Sequence, residues 1–147
     1  MTVNGRVSSG DLFVFYGLLK QGATGMPAHI DLEKAGAFLG PCWFRGALYD
    51  LGGFPGVVDG DGLCHGVRYR LDDASLIEAL DEFEDVVPDD PDASLYLRKK
   101  VPLIDASGTE SGEQAWIYWY NRPTDSFTRL ADDDWPLDRG RVRKTGT

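Results

Sequence analysis

Apolar residues in this chain form short runs separated by glycine, proline and acidic residues, a pattern typical of strands joined by turns. The first run, Leu12–Tyr16, combines aromatic and branched residues and is predicted to be a buried strand that Gly17 ends. Four later segments are predicted as further strands: residues 42–50, 63–71, which alternates in part, 96–104 and 114–120.

Residues 57–62 separate two of these runs and carry a strong turn signal. Asp59-Gly60-Asp61-Gly62 predicts a tight hairpin, because an Asp-Gly pair accepts the positive φ angles that such turns need. On this interpretation Val57 and Val58 form a short strand before the turn.

One segment shows clear helical periodicity. Leucine, isoleucine and phenylalanine recur at helical spacing over residues 73–83, which predicts an amphipathic helix with Asp72 or Asp73 as its N-cap. A shorter helix is predicted around residues 29–35. Because the strands follow one another instead of alternating with helices, the pattern favours an α+β fold or a small barrel over a doubly wound sheet.

Length and composition favour a single domain. The chain has 147 residues, of which 42% are hydrophobic, and a chain of that length buries roughly two-thirds of its unfolded surface. We expect a flexible lead over residues 1–10, one domain over residues 11–137 and a basic, disordered tail over residues 138–147.

Charge and hydropathy argue against two classes of partner. The formal net charge is -9, whereas nucleic acids and anionic membranes bind proteins through basic faces. No apolar run approaches the roughly twenty residues of a membrane helix, and the first residues are too polar for a signal peptide. We therefore expect a cytoplasmic protein in which Cys42 and Cys64 are reduced. The sequence does not indicate an oligomeric state.

Motifs for several chemistries are absent from the sequence. It has no nucleophile elbow, phosphate-binding loop or zinc-protease motif, and His29 and His65 are its only histidines. Asp59-x-Asp61-Gly62 lacks the later ligands of a calcium loop. We therefore expect no metal site.

The first candidate for chemistry is the segment Tyr16-Gly17-Leu18-Leu19-Lys20. A strand that stops at glycine can turn the next backbone N–H groups toward a ligand, and glycine has no Cβ to keep the ligand away. Such donors bind carboxylates and stabilise a developing oxyanion. The alternative is a glycine that only ends a strand.

The second candidate is Glu84, at the end of the predicted helix. Helical spacing places it on the same face as Leu80 or at the margin of that face. Three neighbouring acids are predicted to lie more toward solvent: Asp81, Glu82 and Asp85. Burial disfavours the ionised form, so we expect a raised pKa for Glu84, as general acid/base chemistry near neutral pH requires. The alternative is a solvated acidic helix end.

Seven short motifs follow one another between about residue 12 and residue 120. They are Tyr16-Gly17-Leu18-Leu19, Gly46-Ala47-Leu48-Tyr49, Phe54-Pro55-Gly56, Gly66-Val67-Arg68-Tyr69, Leu80-Asp81-Glu82-Phe83-Glu84, Tyr96-Leu97-Arg98 and Trp116-Ile117-Tyr118. In this order they resemble the gamma-glutamylcyclotransferase-like superfamily, especially its short members related to gamma-glutamylamine cyclotransferase.

The resemblance implies a small mixed β-barrel of five to six strands with one main helix and short flanking helices. It implies a cofactor-independent acyltransferase that cyclises a small gamma-glutamyl amine or dipeptide to 5-oxoproline and releases the amine. Glu84 would be the general acid/base, and the turn from Tyr16 to Lys20 would bind substrate through backbone N–H groups. Further substrate-binding candidates are Tyr96, Arg98 and Tyr118, whereas a surface ion pair is the favoured role for Arg45.

Two positions depart from the family pattern. Leu18 stands where Ser or Thr is usual, and Asp85 stands where Gly is common. A lost hydroxyl would remove a hydrogen bond to substrate that contributes roughly 1 kcal/mol. Two alternatives therefore stay open: an inactive small-molecule-binding module of the same fold, and a tailoring enzyme that removes a gamma-glutamyl group from a larger metabolite.

Overall fold

Six strands, two short α-helices and two 3-10 turns make up the part of the chain that the computed structural model describes, residues 6–17, 30–52, 54–87 and 89–130. The strands are β1 (Asp11–Phe15), β2 (Gly36–Asp50), β3 (Pro55–Leu71), β4 (Tyr96–Ile104), β5 (Glu110–Tyr120) and β6 (Thr128–Arg129). The helices are α1 (Leu32–Ala35) and α2 (Ile77–Phe83), and the 3-10 turns are Ala74–Leu76 and Pro91–Ala93.

The strands form one mixed sheet whose pairings close on themselves. The order is β3-β1-β5-β4-β2-β6, and β2 also pairs with β3, so five strands form a ring. β1 runs parallel to β5, and the other pairings are antiparallel. A mixed sheet of six strands with one main helix is therefore confirmed, and barrel geometry stays a prediction.

β1 is buried on both of its faces, which explains its uninterrupted apolar sequence. Phe13 and Phe15 pack in one apolar cluster together with Leu80 of α2. Val14 and Tyr16, which point to the opposite face, pack in a second cluster. A strand covered on both faces needs apolar residues at every position, so it shows no alternation.

The predicted hairpin turn at Asp59-Gly60-Asp61-Gly62 is wrong, because β3 continues through this segment. Gly46 of β2 pairs with Gly62, but the next residue, Ala47, pairs with Val58. Residues 59–61 therefore form an exposed bulge in one long strand. The chain reverses instead between β2 and β3, where the Leu51 N–H donates to the Phe54 carbonyl at 2.9 Å.

The predicted main helix is present, with its first turn as a 3-10 turn ahead of α2. Asp73 caps this start, since its side chain accepts a hydrogen bond from the Ser75 N–H at 3.1 Å. α1 is shorter than predicted because it begins after Asp31, whose side chain accepts from the Lys34 N–H at 3.1 Å.

The predicted domain limits remain predictions. Residues 1–5 and 131–147, which include the predicted tail, lie outside the described residues. Within the described ranges, no helix has the length and apolar character required to cross a bilayer.

Candidate active site

The bend that follows β1 lies against the start of β3. Gly17 is buried, and a Cβ on this residue would stand only 2.3 Å from Cγ of Pro55. The glycine therefore allows two segments of the chain to approach closely. Three further residues of the predicted substrate-binding turn lie outside the described residues: Leu18, Leu19 and Lys20.

Gly17→Ala is expected to destabilise the protein by about 1–3 kcal/mol, because the new methyl group overpacks the contact with Pro55. Urea denaturation measures this loss. Adding Pro55→Ala removes the ring atoms that clash and should recover part of the stability. If the double variant is no more stable than Gly17→Ala alone, the contact with Pro55 is not the cause.

The three tyrosines predicted to bind substrate each donate a hydrogen bond from the hydroxyl group to another part of the protein. Tyr16 donates to the backbone carbonyl of Tyr118, and Tyr96 donates to the backbone carbonyl of Pro55. The Tyr118 hydroxyl donates to Oδ1 of Asp81 at 2.9 Å. All three side chains are buried and connect strands, helix and bend. Their role as substrate ligands stays a prediction.

Glu84 is half-buried and caps the C-terminus of α2, beside two of these phenols. Burial raises the pKa of Tyr16 well above its ordinary value, and the negative charge of Glu84 raises it further. Burial also raises the pKa of Tyr118, followed by the charges of Asp81 and Glu84. The Glu84 carboxylate therefore lies near Tyr16, the residue that leads into the bend. The catalytic role of Glu84 stays a prediction.

Asp81 is buried, so the prediction that it lies toward solvent is wrong. Arg98 donates from Nε to Oδ1 of Asp81 at 3.1 Å and from Nη2 to Oδ2 at 3.0 Å. This contact compensates the carboxylate for its removal from water. Glu82 and Asp85 are exposed, as predicted.

The Val86–Ser94 loop has buried ends, and the described residues of its middle are exposed. The Val87 N–H donates to Oγ of Ser94 at 2.7 Å. Asn121 donates from Nδ2 to the carbonyl groups of Pro91 and Ser94 at 2.9 and 3.0 Å. The two bonds from Asn121 hold the loop against the end of β5.

Two further predictions concern Arg45 and a metal site. Arg45 is exposed on β2, as a surface role requires. Among the residues that the structure describes, no three His, Cys, Asp or Glu side chains are grouped so that they could hold a metal ion.

Comparison with known proteins identifies the family. Residues 12–137 match the family described as "Gamma-glutamyl cyclotransferase, AIG2-like". The chain belongs to this family. The match includes the bend, Glu84 and the strands that carry Arg98 and Tyr118.

Several known proteins are similar to this chain in sequence or structure. The gamma-glutamylcyclotransferase family protein YtfP of Escherichia coli K12 is 32% identical over 105 residues, which are 64% of this chain and 70% of that protein. Its solution NMR structure superimposes with a TM-score of 0.57 at 30% identity, covering 84% of this chain and 95% of that one. The crystal structure of PH0828 from Pyrococcus horikoshii has a TM-score of 0.59, covering 84% of this chain and 88% of that one, and at 22% identity it shows likeness of fold alone.

Asp85, which stands where the family resemblance led us to expect glycine, forms the turn after Glu84. Its φ of 53° lies in the left-handed region that glycine favours. The Val86 N–H donates to the Asp81 carbonyl at 2.8 Å, and the Asp85 N–H donates to the Glu82 carbonyl at 3.2 Å. These two bonds form a Schellman motif, which ends α2 at Glu84.

Asp85→Val is expected to lower the free energy of unfolding by about 1–2 kcal/mol, because a β-branched residue is poorly suited to the left-handed conformation. Asp85→Gly is the matched control and should be at least as stable as the parent. Thermal denaturation of the three proteins measures the difference. Equal stability of the Val and Gly variants would contradict the left-handed turn.

A sequence signal for the burial of Asp81 lies on β4, away from the helix. Tyr96 and Arg98 are two positions apart on this strand and share its buried face. A buried guanidinium needs a carboxylate partner, and Asp81 lies four residues after the partly buried Ile77. Periodicity within the helix alone misses this pair.

Proposed function

We propose that this chain is an enzyme that cyclises a gamma-glutamyl amine or dipeptide to 5-oxoproline and a free amine, with Glu84 as general acid/base. Family membership supports the reaction class. The observation that carries the assignment of Glu84 is its half-buried place at the end of α2, beside the buried phenols of Tyr16 and Tyr118.

In the proposed reaction the carboxylate of Glu84 takes a proton from the α-ammonium group of the substrate. The amine nitrogen attacks the γ-carbonyl carbon, so a ring C–N bond forms and the carbonyl oxygen becomes an oxyanion. As the oxyanion collapses, the bond to the leaving nitrogen breaks and Glu84 returns the proton to that nitrogen. The ring nitrogen gives up its second proton to the released amine, so the products are a neutral lactam and an ammonium ion. The sequence of steps needs no metal or organic cofactor.

The bend after β1 is the proposed site for the oxyanion. Backbone N–H groups in such a bend stabilise negative charge that develops during acyl transfer. Because the nucleophile is part of the substrate, holding the molecule in a folded conformation supplies much of the rate enhancement.

We also propose a cytoplasmic location, where thiols stay reduced. Cys42 and Cys64 are both buried, and neither forms a disulfide. Burial raises the pKa of Cys42 to about 12, so this thiol resists ionisation at neutral pH.

Incubation with a panel of gamma-glutamyl dipeptides and gamma-glutamyl amines tests the function, with chromatography to quantify 5-oxoproline. N-acetylated forms of the same compounds are the control, because they lack the nucleophile and should yield no product. Binding without product would refute turnover and favour the non-catalytic module, for which Leu18 in place of Ser or Thr is the specific argument.

A further inference from the structure

Tyr118 lies near the carboxylates of Asp81, within α2, and of Glu84, which caps the C-terminus of α2. Asp81 and Glu84 are three positions apart and are therefore neighbours on the helix surface. A neutral phenol has a single proton to donate. In this structure Tyr118 donates that proton to Oδ1 of Asp81, at 2.9 Å.

Arg98 fixes the oxygen that Asp81 offers. The two side chains are 5% and 7% exposed, and the guanidinium contacts both carboxylate oxygens. Such two-point contact sets the plane of the carboxylate as well as its position. The guanidinium also lies 5.4 Å from the ring centre of Trp116, which restricts it further.

We propose that Asp81 is a positioning residue that, together with Arg98, directs the hydroxyl proton of Tyr118 away from Glu84. The benefit to catalysis rests on the proposed function of Glu84 as general acid/base. A hydrogen bond from Tyr118 to Glu84 would favour the ionised carboxylate and reduce its affinity for the substrate proton. By accepting this hydrogen bond itself, Asp81 keeps Glu84 more basic.

The groups around Glu84 come from several elements. The hydroxyl of Tyr118 is the group that a substitution at Asp81 can redirect. Tyr16 donates its hydroxyl proton to the backbone carbonyl of Tyr118, and no side-chain substitution removes that acceptor. Glu82 and Asp85 are exposed, so water screens their charges. Among the described residues, the titratable and charged groups around Glu84 include Tyr16, directly after β1, Tyr118 from β5, and Asp81, Glu82 and Asp85 from α2 and the turn after it. Arg98 from β4 contacts Asp81.

An NMR titration of the Glu84 side-chain carboxyl carbon, without substrate, tests the proposal. Four proteins are compared: the parent, Tyr118→Phe, Asp81→Leu/Arg98→Met, and the triple variant. The double substitution removes the acceptor and one charge of each sign, so the net charge is unchanged. Apolar side chains of similar size replace a buried ion pair without loss of the fold in many proteins.

We expect Tyr118→Phe alone to leave the pKa of Glu84 nearly unchanged. Asp81→Leu/Arg98→Met should lower this pKa by about one unit, a tenfold change in the proton dissociation constant, because Tyr118 then donates to Glu84. Adding Tyr118→Phe to that double variant should reverse the shift, and a residue with only a structural role would not produce this dependence on Tyr118.

The proposal is overturned if Tyr118→Phe raises the pKa of Glu84 by the same amount in the parent and in the double variant. It is also overturned if the double and triple variants have equal pKa values for Glu84. The titration does not depend on turnover. A parent protein that releases no 5-oxoproline while its variants show the expected shifts refutes the proposed function and supports the positioning role of Asp81.

Discussion

Glu84→Gln is expected to lower kcat for the release of 5-oxoproline by about two to four orders of magnitude. The amide has nearly the size of the carboxylate but can neither take the ammonium proton nor return it to the leaving amine. The substitution leaves the backbone turn at Asp85 in place, so KM and the free energy of unfolding should change far less than kcat. Steady-state kinetics and urea denaturation on the same preparation separate these effects.

Glu82→Gln is the matched control for this experiment. Glu82 lies two residues earlier on α2, undergoes the same change of charge and is exposed to solvent. Its variant should keep the activity of the parent. Parental activity of Glu84→Gln would contradict the assignment of Glu84, and an equal loss in both variants would indicate a general effect of charge on the helix.

Strands bounded by turn residues were predictable from the sequence. β4 occupies the predicted residues 96–104, because aromatic and aliphatic residues at both of its ends are bounded by Ser94 on one side and a polar turn on the other. β5 begins earlier than predicted, at Glu110. Its first residues are polar and exposed, and they join the sheet through backbone pairing with β4, for which composition gives no signal.

Features set by distant partners were not predictable from local patterns. The Asp59–Gly62 segment has the composition of a tight turn, but continuous pairing with β2 on both sides makes it a bulge. For the candidate site, helical spacing placed Glu84 at the apolar margin, where the structure has it half-buried. The same reasoning failed for Asp81, because Arg98 reaches it from a strand that follows the helix by more than ten residues.

Arg98→Met is expected to lower the free energy of unfolding by about 3–5 kcal/mol, because it leaves the Asp81 carboxylate buried without a counter-charge. Domains of this size are stable by only roughly 5–15 kcal/mol, so the loss should be visible as a large shift in the urea midpoint. Arg70→Met is the control, since Arg70 pairs with Asp72 at an exposed position where solvent screens the charges. Its midpoint should move far less.

Adding Asp81→Leu to Arg98→Met should recover most of the lost stability, although it removes a second polar group. The recovery is expected because the cost of the single variant lies in one unpaired buried charge, and an apolar pair of similar volume has no such charge. Failure to recover would mean that the loss comes from contacts of the guanidinium other than Asp81, such as the ring of Trp116. A double variant that regains stability but has a lowered pKa of Glu84 would separate two effects of the Asp81–Arg98 ion pair. The fold would tolerate removal of the pair, whereas the hydroxyl of Tyr118 would change its hydrogen-bond acceptor.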